Sequence, residues 1–182
     1  MAMPKITING LSANSLRKAA KQVERYQLQV ALKNKELVRE LTKKGIEEAG
    51  NHLTFKGDST PPTIPTTNPH VRMGKSEGQM YAAVRLKGKD VAFVEFGAGI
   101  HYNTPVGTSP NPYGVELGYT IGSYSELGGN GYSQGQNEFW GYEDENGVFV
   151  TSYGTEAAMP LFHASEKVKE CYADVAKSVF RS

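Results

Sequence analysis

Two carboxylates, Glu95 and Glu138, carry the only pairing in this chain that points to bond-breaking chemistry, with Trp140 and Tyr142 close behind the second. Paired carboxyl groups flanking a glycosidic bond serve as acid and nucleophile when about 5–5.5 Å apart, or as acid and base when farther. An adjacent aromatic face would be a platform for the sugar. The competing reading makes Glu95 a structural acceptor at the end of a sheet strand and Trp140 a core residue. We adopt the second, so no residue is assigned to catalysis and the chain is expected not to be an enzyme.

Other chemistry is sparse. His52, His70, His101 and His163 are scattered, with no Ser–His or Cys–His context for an activated nucleophile. No His, Cys or carboxylate cluster has metal-ligand spacing, so neither metal nor cofactor is expected. Gly97-Ala98-Gly99 lacks the third glycine and the following helix of a dinucleotide site, and Gly128-Gly129-Asn130-Gly131 lacks the Lys-Ser/Thr of a phosphate loop. Cys171, the single cysteine, excludes an internal disulfide and reads as a small apolar residue bordering a helix face.

The elements that must position these residues centre on Val91–Ile100. This nearly continuous apolar run with a Gly-x-Gly exit is read as a strand covered on both faces. A partner strand is expected around Met80–Leu86, with Lys87-Gly88-Lys89-Asp90 as the hairpin turn between them. Lys5–Ile8 reads as a short strand before Asn9-Gly10. Ser12 or Asn14 then caps a helix running from about Ser15 to Leu53, with apolar positions at Leu16, Ala20, Val23, Val30, Leu37, Leu41, Gly45, Ala49 and Leu53. Some 38 residues at 1.5 Å each span roughly 57 Å, against a radius of gyration of about 16 Å for a compact domain of this size. Either the helix kinks at Gly45 or Gly50, or part of it lies against another subunit.

Four prolines (Pro61, Pro62, Pro65, Pro69) make 54–78 an extended connection. Residues 101–136 form a Gly/Tyr/Ser/Asn-rich excursion read as a contact surface rather than a merely solubilising loop, with Tyr102, Tyr113, Tyr119, Tyr124 and Tyr132 as candidate partner contacts. Asp144-Glu145-Asn146-Gly147 between Glu138–Tyr142 and Val148–Thr151 is a strong hairpin signal. Pro160 opens the last helix, whose stripe is Leu161, Ala164, Val168, Tyr172, Val175 and Val179.

The totals bound the class. With 182 residues, 38% hydrophobic and 21% charged, a single domain over 1–182 including the 101–136 excursion is expected. A net charge of +1 disfavours a strongly cationic nucleic-acid binder. Met1–Gly10 lacks the apolar core of a secretory signal, and no run approaches the roughly 18 apolar residues of a membrane helix. A soluble cytosolic product with no membrane partner is expected. The fold class is α+β: a small antiparallel sheet packed against the long N-terminal and the C-terminal helix.

The order of elements, the Val94-Glu95-Phe96-Gly97 strand end and the Gly154-Thr155-Glu156-Ala157-Ala158-Met159-Pro160-Leu161-Phe162 approach to the last helix resemble the tail-completion or head–tail joining (neck) proteins of long-tailed bacteriophages. The resemblance covers most of the chain outside 54–78 and 101–136. Ala98 stands where that family often has Thr, and the excursion is longer than usual. The resemblance implies a virion protein, made in the host cytoplasm, that forms an oligomeric ring in the neck. Its neighbours would be a portal-side connector and tail-tube or terminator proteins, with DNA passing through the channel non-specifically. A tail terminator or other tail ring subunit is the nearest alternative. Glu95, Phe96, Gly97 and Gly99, with Trp140, Gly154 and Pro160, would be the structural motif.

Overall fold

The computed structural model describes residues 12–57, 59–74, 79–98, 109–114, 116–117, 140–144 and 146–181, with only the backbone of 140–142. The Lys5–Ile8 strand, Gly99, Tyr102, Tyr119, Tyr124, Tyr132, His101 and Glu138 lie outside these residues. The chain mixes helix and strand in the order α1 (Ala13–Asn51), β1 (Arg72–Met73), β2 (Met80–Tyr81), α2 (Val91–Phe96), β3 (Trp140–Glu143), β4 (Phe149–Ser152), α3 (Pro160–Arg181). Two antiparallel two-stranded sheets form, β1 with β2 and β3 with β4.

Contacts group the chain into two compact units. One comprises Met1–Lys44, Asn68–Ala83 and Val168–Ser182; the other comprises Gly45–Thr67 and Val84–Lys167.

In the first unit, Ser12 begins α1 as the spacing requires, its hydroxyl accepting from the Ser15 N–H. The helix is unbroken through Gly45 and Gly50. Leu37 and Leu41 pack with Val179 into a core, flanked by Val168, Cys171, Val175, Ala176 and Phe180. These residues recur three or four apart on α1 and α3, so two amphipathic faces meet. The core is short, however. Leu16 is 50% exposed and Val23 is also exposed, although Ala19 between them is buried, so the apolar stripe of α1 is covered only in places along its first half. Tyr172, assigned by periodicity to the α3 stripe, is exposed as well.

The second unit overturns the central sequence expectation. Val91–Phe96 is not a strand but a single helical turn, with Val94 N–H bonded to the Asp90 carbonyl and Gly97 N–H to that of Phe93. Nor does Met80–Leu86 pair with it. Only Met80 and Tyr81 of this stretch form a strand, and they pair with Arg72 and Met73, so residues 87–90 do not join two strands of a hairpin. The physical reason lies in which groups the segment must serve. The Glu95 carboxylate accepts from Leu161 and Phe162 N–H, and the adjacent Val94 carbonyl accepts from Ala158 and Met159 N–H. A helical turn delivers both to the approach to α3, overriding the β-propensity of Val and Phe.

After α2, Gly97 turns at φ 79°. Ala98 then exchanges two 2.9 Å backbone hydrogen bonds with Thr155, and Gly57 bridges the same residue. The β3–β4 hairpin forms where the turn chemistry places it. The Asp144 carboxylate accepts from the N–H groups of Val148 and Asn146, which hold it below its usual pKa, and Gly147 takes φ 73°.

Two glycine replacements separate backbone geometry from crowding. At Gly57 (φ 135°) a Cβ would sit 2.5 Å from the Gly154 carbonyl oxygen and 2.6 Å from Thr155 Cα, whereas at Gly147 it meets nothing within 4 Å. Thermal unfolding should show Gly147→Ala losing about 1 kcal/mol, the cost of left-handed backbone alone. Gly57→Ala should lose more than about 3 kcal/mol, because backbone must also move.

Candidate functional site

The polar centre of the second unit is the Glu95 carboxylate. Pro160 opens α3, so the next N–H groups, of Leu161 and Phe162, have no acceptor within their own helix. Glu95 supplies one from 66 residues away: Oε2 accepts from Leu161 N–H at 2.8 Å, and Oε1 from Phe162 N–H at 2.9 Å. The side-chain amide of Asn111 donates to Oε1 as well, at 2.9 Å, and lies 3.4 Å from the Glu95 carbonyl. Glu95 is 4% exposed and Asn111 is 3% exposed. A carboxylate at a helix N-terminus also meets the positive end of the helix dipole.

Burial pushes the Glu95 carboxyl above its ordinary value, and the three donors from Leu161, Phe162 and Asn111 pull it partly back. Near-complete enclosure and three structural donors engage the carboxylate in holding chain segments together. That arrangement fixes structure; it offers no open face to a substrate.

Backbone contacts reinforce the junction. The Val94 carbonyl accepts from Ala158 at 2.9 Å and from Met159 at 3.3 Å. Met159, just before Pro160, takes φ 52°, an uncommon conformation for a residue with a side chain. The Ser109 hydroxyl donates to the Phe96 carbonyl and accepts from Asn111 N–H, while the Asn111 side-chain oxygen accepts from Tyr113 N–H. The turn 109–114 thus delivers Asn111 to Glu95.

Of the structural-motif residues, Glu95, Phe96 and Gly97 lie on or beside α2, with Pro160 at the start of the helix that Glu95 caps. Gly154 (φ 94°) precedes the Thr155 bridge. The Trp140 side chain is outside what is described, as is Glu138, so their relation to Glu95 is not part of this geometry. Tyr113 is exposed, with its ring 6.1 Å from that of Phe162. Sequence reasoning missed Asn111, Ser109 and Thr155. The available signal was the turn-forming run Ser109-Pro110-Asn111-Pro112-Tyr113-Gly114, whose Asn can serve as both donor and acceptor.

A second polar feature joins the end of α1 to the first turn of α3. The rings of His52 and His163 stack at 3.8 Å and 14°. His52 Nε2 lies 3.2 Å from Glu48 Oε1, and Phe162 packs edge-on to His163. Burial, then the neighbouring His52, lowers the His163 pKa from 6.5, and Glu48 opposes both. Among the described residues no group of three His, Cys, Asp or Glu could hold a metal ion, and no helix is long and apolar enough to cross a membrane.

Replacing Glu95 by Ala should cost about 3 kcal/mol in chemical denaturation, since two helix N–H groups and a buried amide lose their acceptor. Glu95→Gln should recover only part, as its amide nitrogen cannot accept. The His163 contribution has the opposite sign to a paired histidine. With its folded pKa depressed, its stabilisation is complete above pH 6.5 and declines as pH falls below that toward the folded value. A His163→Gln chain should show a flatter decline in thermal midpoint below pH 6.5 than the parent.

The chain matches no protein-family model, and no curated protein or solved structure aligns with it.

Proposed function

We propose that this chain is a structural subunit of a phage neck or tail, acting by forming an oligomeric ring that completes the tail or joins it to the head around the DNA channel. The observation that carries this reading is the uncovered apolar surface of α1. This helix of 39 residues is about 58 Å long, and along its first half Leu16 and Val23 on one face and Leu28 and Leu32 on another are all exposed. An extended helix whose apolar positions are left to solvent is suited to burial against a neighbour, where standard interfaces remove about 1,200–2,000 Å² in total. The Glu95 carboxylate, engaged by three structural donors, agrees, because the strongest acid candidate is tied to a structural task.

The resemblance of the Val94–Gly97 and Gly154–Phe162 motifs supplies the virion context, although the strand it implies at Val91–Phe96 is a helical turn, and the α+β packing of sheet on helices expected from the sequence belongs to the same proposal. The ring would sit between a portal-side connector and tube or terminator proteins. A net charge of +1 suits a channel wall that must not hold a moving duplex, since each phosphate contact adds salt-dependent affinity.

Electron microscopy of the purified protein and of particles assembled without it tests this reading. Rings, together with full heads and normal-length tails left unjoined, are the expected result. Overlong tails would assign termination instead. Normally joined particles lacking the chain would remove the neck role altogether.

A further inference from the structure

The apolar stripe that reaches the core is not the only ordered face of α1. Arg17, Lys21, Arg25, Leu28, Leu32, Lys35 and Arg39 follow one another at intervals of four, four, three, four, three and four residues. Such spacing sets them along a single ridge. At 100° per residue this ridge lies well away from the one carrying Leu37 and Leu41. Leu28 is 62% exposed and Leu32 58%, and all five cations are exposed except the half-buried Arg39. An apolar pair flanked on both sides by cations is a face for an acidic partner with an apolar centre.

The chain itself carries the complement. Residues 1–100 hold 16 Lys and Arg against 9 Asp and Glu, while residues 101–182 hold 4 against 10, so a near-neutral total conceals halves of opposite sign. In the acidic half, the β3–β4 hairpin pairs Glu143 directly with Phe149. Cross-strand partners project from the same face. Phe149 is 69% exposed, Val148 beside it is also exposed, and so is Glu143. Asp144 is engaged in the turn and has Lys89 in its neighbourhood, which leaves Glu143 as the outward charge among the described residues of the hairpin.

We propose that copies of this chain associate head to tail, the Leu28–Leu32 ridge of α1 receiving the Glu143–Phe149 face of the β3–β4 hairpin of the next copy. Phe149 packs against the leucine pair and Glu143 meets Arg25 or Lys35, which flank it. Two different surfaces make the contact, so it repeats and can close into a ring. A phosphate polymer would use the cations but leave the leucines unburied, which favours a protein partner. The proposal rests on reading the chain as an assembling subunit and names the faces that do it.

Sedimentation of the purified full chain tests it, with an Arg25→Glu/Lys35→Glu variant, a Glu143→Lys variant and an equimolar mixture of the two. The parent should self-associate at about 50 mM salt and more weakly at about 500 mM. Each variant alone should associate at least about ten-fold more weakly, while the mixture regains parent-like association with the two variants alternating, because reversed ridge meets reversed hairpin and parental ridge meets parental hairpin. Phe149→Ala should weaken association without altering the thermal midpoint, as exposed replacements leave folding nearly unchanged. Variants that sediment like the parent, a parent that stays monomeric at low salt, or a mixture no better than its components would each overturn the contact. So would a ridge variant that loses affinity for a short DNA duplex but not for itself. Rings that persist in the charge-reversed variants would reject these faces while leaving the subunit role intact. Particles that join normally without the chain would reject that role whatever the variants do.

Discussion

A buried carboxylate capping a helix from a distant part of the chain is the constraint on which the second unit depends. α3 begins at a proline, whose ring presets the backbone and removes one donor, but the next N–H groups still need acceptors. No side chain at the start of α3 fills that role for Leu161 and Phe162; Glu95 does. Leaving it unpaired would be costly in a closed environment, so Asn111 and the two backbone donors are needed together. Removal of any partner exposes the others to the same penalty.

That single requirement explains the local shape of Val91–Phe96. To reach α3 with its carboxylate while Val94 fills the adjacent apolar space, the segment must present consecutive residues to one side. One helical turn does this, and Gly97 then releases the chain toward its bridge with Thr155. The Val94 carbonyl, no longer directed into a sheet ladder, accepts from Ala158 and Met159. Backbone and side chain of one short turn therefore organise the approach to α3, and the same fact bears on chemistry. Three of the roughly four acceptor sites of this carboxylate are taken by structural donors.

The first unit is organised on a different principle. Its core is a modest seam between α1 and α3, built on Leu37, Leu41 and Val179. Earlier on α1 the same periodicity continues, but Leu16 and Val23 are exposed while Ala19 between them is buried. Helical periodicity reports which positions share a face, and it is indifferent to whether the covering surface comes from the same chain.

Long-period patterns were legible without coordinates. The proline-free run from Ser15, the Ser12 cap, the Pro160 start of α3 and the Asp-x-Asn-Gly turn are local signals, set by backbone sterics and hydrogen bonding within a few residues. Tertiary contact alone decided the form of Val91–Phe96, because an apolar run of that length suits a buried strand and a buried turn equally. It also decided the part played by Glu95 and Asn111, whose meeting joins residues 16 apart to a helix 66 residues onward. Composition carries no record of such distances; only folding brings an acid to the helix end that needs it.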